Sequence, residues 1–148
     1  QVAKSAADGT TLMMLATPTM LAPHFNKAAG YDTTKDFVPV ATVYDLPIVI
    51  VVNAALLPDV PTAAEAGIPT LEAGTWAALF GPANMSPEIA SKMSQALNTA
   101  MAQPDVRERI AKQGFDLGGS TPKELGSFVQ DQLKAWAQAF ADAGLKPE

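Results

Sequence analysis

Short, almost wholly apolar runs alternate along this chain with helical apolar stripes, and that alternation restricts the fold more than any other feature. Leu12 to Ala16 and Thr75 to Phe80 are runs of strand length without a polar face, so each needs cover on both sides of its sheet. Ile48 to Val52, reading IVIVV, is the strongest strand in the text, because β-branched residues crowd a helix and suit a pleat. Phe37 to Tyr44, partly alternating and rich in Val, reads as a further strand.

The helices are well punctuated. Val2 to Ala7 reads as a helix tail, and a short helix is expected over about Met20 to Lys27, after the break at Thr17-Pro18-Thr19. Thr62 and Glu65 stand at capping-box spacing, with Gly67 as the stop. Ser86 caps a helix with Pro87 in its first position, and Ile89, Met93, Leu97 and Met101 form one stripe. Pro104 opens a shorter helix closed by Gly114. Thr121 to Glu124 is a second capping box, followed by a stripe through Leu125, Phe128, Val129, Leu133, Trp136 and Phe140. Strands alternating with helices predict an α/β three-layer sandwich, and 148 residues suffice for one domain.

Composition narrows the function. The formal net charge is -5 and the ten Lys and Arg are scattered, with Arg107 and Arg109 interleaved with acids, so there is no basic face for nucleic acid. There is no cysteine and one histidine, His24, which removes thiol chemistry and leaves no ligand set for zinc. No Asp cluster has calcium-loop spacing, and no apolar run approaches the about 20 residues of a membrane span. His24 has no orienting partner in sequence, and no serine sits in a nucleophile elbow. Asp32, Asp36 and Asp45 lie near turns, where Asp serves chiefly as a cap. Gly118-Gly119-Ser120 precedes a helix and is a weak anion-loop candidate, since Thr121 already explains it as a cap. No catalytic residue, metal or cofactor is expected.

Binding is what remains. Thr17, Pro18 and Thr19 lie where a buried strand ends and a helix starts, the place where ligands gather in open α/β sheets. Ordinary N-capping is the competing reading. Thr75, Trp76 and Ala77 begin another strand, with Trp76 either lining a cleft or packing in the core.

Taken together, the segments resemble a known family. Ala3 to Leu12 (AKSAADGTTL), Tyr31 to Val40 (YDTTKDFVPV) and Leu57 to Gly67 (LPDVPTAAEAG) are similar, in order, to runs of the tripartite tricarboxylate transporter substrate-binding (Bug) family. Pro104 to Arg109 and Gly119 to Glu124 match its C-terminal helices. The resemblance implies a periplasmic, two-lobed protein of the type II periplasmic-binding class, with a mixed central sheet. Such a protein closes on a small carboxylate and hands it to membrane permease subunits. It implies no cofactor, no reaction and a monomer. The family's strand-end loop falls on Ala16 to Thr19, with Thr19 where a histidine is usual, and its cleft-side strand start falls on Thr75-Trp76-Ala77.

Two departures stand out. The family's glycine-rich loop would precede Gln1, so the true N-terminus is expected to be missing. Its second lobe would follow the strand ending at Asn53, yet here Leu57-Pro58-Asp59 comes almost at once. The chain is therefore expected to be a single lobe, made of about residues 1–53 and 56–148 joined near Ala54-Ala55. Two other readings stay open: a module that signals ligand occupancy to a membrane partner, and a small enzyme using Asp45 or His24 as base.

Overall fold

A computed structural model of the chain describes residues 1–48, 60, 61, 65 and 74–144. After a 3-10 turn at Val2–Lys4, β1 (Met13–Ala16) runs directly into α1 (Thr17–Phe25). β2 (Phe37–Pro47) and β3 (Gly74–Pro82) follow, then α2 (Pro87–Met101), α3 (Pro104–Ala111), the two-residue β4 (Asp116–Leu117) and α4 (Pro122–Asp142). The strands form one sheet in the order β1-β3-β2-β4.

β3 lies between β1 and β2 and is apolar on both faces, so both faces are covered. On one side Leu15, Phe37, Trp76, Ala78 and Phe80 meet Met20 and Leu21 of α1 and Leu125 and Val129 of α4. On the other, Val40 meets Met85 and Ala90, with Leu79, Ile89 and Met93 packed around them. The result is helix, sheet, helix. Complete burial of side chains such as Leu15, Met20, Phe80 and Leu125 contributes about 1.5–3 kcal/mol each.

The caps fall where the sequence puts them. The Ser86 hydroxyl accepts from the Ile89 amide. Thr121 and Glu124 form the full reciprocal box, which holds the Glu124 carboxyl below its ordinary value.

Several expectations need correction. The α/β class holds, but the three strand pairings among the described residues are all antiparallel, where a mixed sheet was expected. Helix α1 starts at Thr17 rather than Met20. Thr17-Pro18-Thr19 is its first turn, where the N–H that Pro18 lacks would have no helical partner anyway. The expected helix tail over Val2 to Ala7 is only a 3-10 turn. β2 continues three residues past Tyr44. Of the IVIVV run only Ile48 lies within the described residues, and it is outside any strand. Thr62 and the Ala54-Ala55 junction lie outside the described residues. β4 was not foreseen, since two residues carry no periodicity.

β2 bears two irregularities, between Pro39 and Ala41 and between Thr42 and Tyr44. Pro39 cannot donate to a ladder, and a bulge absorbs the missing bond. Next to the second irregularity, Gly118 donates its amide to the Val43 carbonyl at 3.0 Å. A Cβ at Gly118 would stand 2.8 Å from Thr42 Cγ2 and 3.2 Å from Thr42 Cβ, a stiff β-branched neighbour. Gly118→Ala should therefore cost about 1–3 kcal/mol in urea unfolding. Thr42→Ser, which removes the clashing methyl, should recover part of that loss in the double variant.

Candidate functional site

One end of the sheet gathers the residues singled out by sequence. Ala16 pairs with Ala77, and Pro47 pairs with Gly74. The carboxyl ends of β1 and β2, the start of β3 and the first turn of α1 therefore share one edge. β2 ends at Pro47 and β3 begins at Gly74, on that same final rung.

Thr17 organises this edge. It is only 6% exposed, and its Oγ1 accepts from the Trp76 amide and from the Thr75 hydroxyl, each at 3.3 Å. A hydroxyl oxygen has two acceptor sites, and both are used to pin the start of α1 to the start of β3. Helix α1 is uncapped by any side chain, because its N-cap is Ala16, in extended conformation. The first turn therefore presents helix-dipole charge and amides with no internal acceptor. Pro18 and Thr19 are exposed there. The Thr19 carbonyl accepts from the Tyr31 hydroxyl, which fixes the loop after α1, and Thr33 Oγ1 does the same at the Met20 carbonyl, 3.1 Å away.

The six sequence candidates thus divide. Pro18 and Thr19 face solvent, and Thr75 is half-buried between them and the core. Thr17 is turned inward as a tie. Trp76 and Ala77 are 4% and 1% exposed, and Trp76 packs edge-on against Phe128 with ring centroids 5.4 Å apart. For Trp76 the core reading is the one the structure supports. No lysine or arginine lies among residues 16–19 or 74–77. The Thr17–Thr75–Trp76 tie was invisible in sequence, because it joins residues 58 and 59 positions apart.

Other features lie elsewhere. His24 is half-buried in a cavity of about 300 Å³ shared with Pro23, Tyr31, Asp32, Thr33, Thr34 and Leu133. Its Nδ1 is buried without a hydrogen-bond partner. Asp32 accepts from the Thr34 hydroxyl at 2.7 Å and pairs with Lys35 at 2.9 Å, which holds its carboxyl well below the usual range. Asp32 is thus a turn cap, as expected of Asp at such a site. Among the described residues no group of three or more His, Cys, Asp or Glu could hold a metal ion, and no helix is long and apolar enough to cross a membrane.

The architecture matches that of periplasmic binding proteins of known structure. It superposes on the periplasmic binding protein BugD with a TM-score of 0.80 at 17% identity, covering 100% of this chain and 83% of that one. It also superposes on MatC from Rhodopseudomonas palustris, solved with bound malate, with a TM-score of 0.73 at 20% identity, covering 91% and 80%. For the R. palustris protein Rpa4515 with adipate the TM-score is 0.81 at 16% identity, covering 99% and 82%. The family model described as tripartite tricarboxylate transporter family receptor matches residues 53–145, and the chain belongs to that family. Protein BugT of Bordetella pertussis is 33% identical over 89 residues, 60% of this chain and 27% of that protein. The UPF0065 protein in the tcbD-tcbE intergenic region of Pseudomonas sp. (strain P51) is 31% identical over 87 residues, 58% and 26%. The matched stretch thus spans about a quarter of the length of these two relatives.

If Thr17 is the tie that sets α1 on β3, Thr17→Val should destabilise by about 1–3 kcal/mol, because it leaves the buried Trp76 amide without an acceptor. Thr17→Ser should stay close to the parent. Denaturant unfolding of the two variants side by side tests this.

Proposed function

We propose that this chain is one lobe of an extracytoplasmic solute-binding protein that captures a small carboxylate for a tripartite tricarboxylate-type transporter, without catalysing a reaction. The observation that carries the reading is the uncapped first turn of α1, fixed by Thr17 at the strand-end edge of the sheet. A helix N-terminus favours anions through its dipole and its free amides. Thr19 adds a hydroxyl donor, while the Thr75 hydroxyl already donates to Thr17, and no Lys or Arg lies among residues 16–19 or 74–77. Pro18, Thr19 and Thr75 are the residues assigned to ligand contact. Thr17 positions them, while Trp76 and Ala77 support the wall from within.

The adjacency of exit and return at Pro47 and Gly74 supports a two-lobed parent, with the second lobe inserted near Ala54-Ala55 between segments of about 1–53 and 56–148. The chain would then supply one wall of a cleft and bind weakly alone. The family and the malate- and adipate-bound neighbours support a di- or tricarboxylate ligand, a periplasmic location and permease subunits as partners.

The test is thermal unfolding of the complete two-lobed protein against a panel of malate, adipate, succinate and citrate. At ligand concentrations about 100-fold above Kd the stabilisation should reach about 2.7 kcal/mol. The 148-residue chain alone should shift far less. A complete protein whose melting temperature ignores the whole panel would overturn the reading.

A further inference from the structure

The last rungs of β2 carry two carboxylates placed face to face. Asp45 pairs with Asp116, and the next rung, Tyr44 with Leu117, completes the contact between β2 and β4. Directly paired residues of an antiparallel ladder project to the same side, and like charges so placed repel. A two-residue strand has few bonds with which to resist that repulsion. On the adjoining rungs the Tyr44 and Phe115 rings, with centroids 4.5 Å apart, hold the strands together on the other face.

The cavity that holds Asp45 is lined by no cation. Asp45 shares a cavity of about 220 Å³ with Thr42, Ser120, Phe128 and Glu124 of α4. The Glu124 carboxylate is occupied by the Thr121 amide and hydroxyl at 2.7 and 2.8 Å. From β3, Asp45 faces uncharged Trp76. On its far side Asp116 borders a groove with Arg107 and Glu108 of α3, charges of opposite sign. Glu108 is itself engaged by Lys112 at 2.7 Å.

We propose that Asp45, paired with Asp116, forms a proton-controlled latch, in which protonation of Asp45 fastens β4 to the end of β2 and its ionisation loosens it. What the latch holds is the crossing from α3 to α4. Immediately after β4, Gly118 bonds to Val43. Ser120 Oγ accepts from the Thr42 amide, and the Ser120 carbonyl receives Ser94 Oγ and Asn98 Nδ2. The latch therefore ties α2 and α4 to the strand that ends two residues later, at Pro47.

The sign follows from linkage. Burial, and then the Asp116 charge, push the Asp45 carboxyl above its ordinary value of 3.8. The folded state therefore binds that proton more tightly than the unfolded state. The stabilisation is complete below the ordinary value and is lost as pH rises through the raised folded value. Above that raised value the Asp45 charge opposes Asp116 across the rung.

The test compares the chain with Asp45→Asn, Asp116→Asn and the double variant from pH 3.5 to 7.5. Each single change should raise the melting temperature at pH 7 by about 1–4 °C, and the gain should shrink towards pH 3.5. The double variant should gain no more than the better single one, since either change alone ends the repulsion. Amide exchange at Gly118, at fixed pH 7, should slow in Asp45→Asn. A gain independent of pH, additive gains, a loss of stability in both single variants at pH 7, or unaltered Gly118 exchange would each overturn the latch.

Discussion

Burial of β3 on both faces is the constraint from which the rest of the fold follows. A strand reading Trp-Ala-Ala-Leu-Phe has no side to give to water, and it lies between β1 and β2 with helices above and below. Trp76, Ala78 and Phe80 look towards α1 and α4 on one side, and Leu79 looks towards α2 on the other. The small side chains at 77 and 78 let the layers approach, while Trp76 and Phe80 fill the volume at either end. Three layers are the smallest arrangement that satisfies such a strand.

The proposed site adjoins the same strand. The Thr17 hydroxyl is engaged at the start of β3, and the N-cap of α1 is Ala16, which has no side-chain acceptor. The local preference for Ser, Thr, Asp or Asn at an N-cap is unmet where a ligand is proposed, which is where such departures are expected.

The parts legible in the sequence are those governed by short spacing. Ser86 with Ile89, and Thr121 with Glu124, are separated by three residues, and both caps are present as the text implies. The apolar runs at Leu12 to Ala16 and Thr75 to Phe80 are strands to within a residue or two at each end. What could not be read depends on distant partners. The antiparallel register of β1 on β3 joins Met13 to Phe80, β4 exists only because β2 is there to receive it, and the bulges of β2 arise where it must pass Pro39 and Gly118. At the candidate site, the residues singled out by sequence fall together at one end of the sheet. Sequence could not separate the exposed Pro18 and Thr19 from the inward Thr17, Trp76 and Ala77, because burial is a property of the assembled layers.

The rung formed by Pro47 and Gly74 has a further consequence for the segment between them. β2 and β3 are, in topology, the two arms of a hairpin whose connection is residues 48–73. Their pairing from Phe37 with Pro82 down to that rung closes the ladder whatever the connection contains. Closure entropy grows only as the logarithm of loop length, by about 0.6 kcal/mol per doubling. The ladder is therefore tolerant of its connection: segments of very different length can join those two residues at little cost to the sheet.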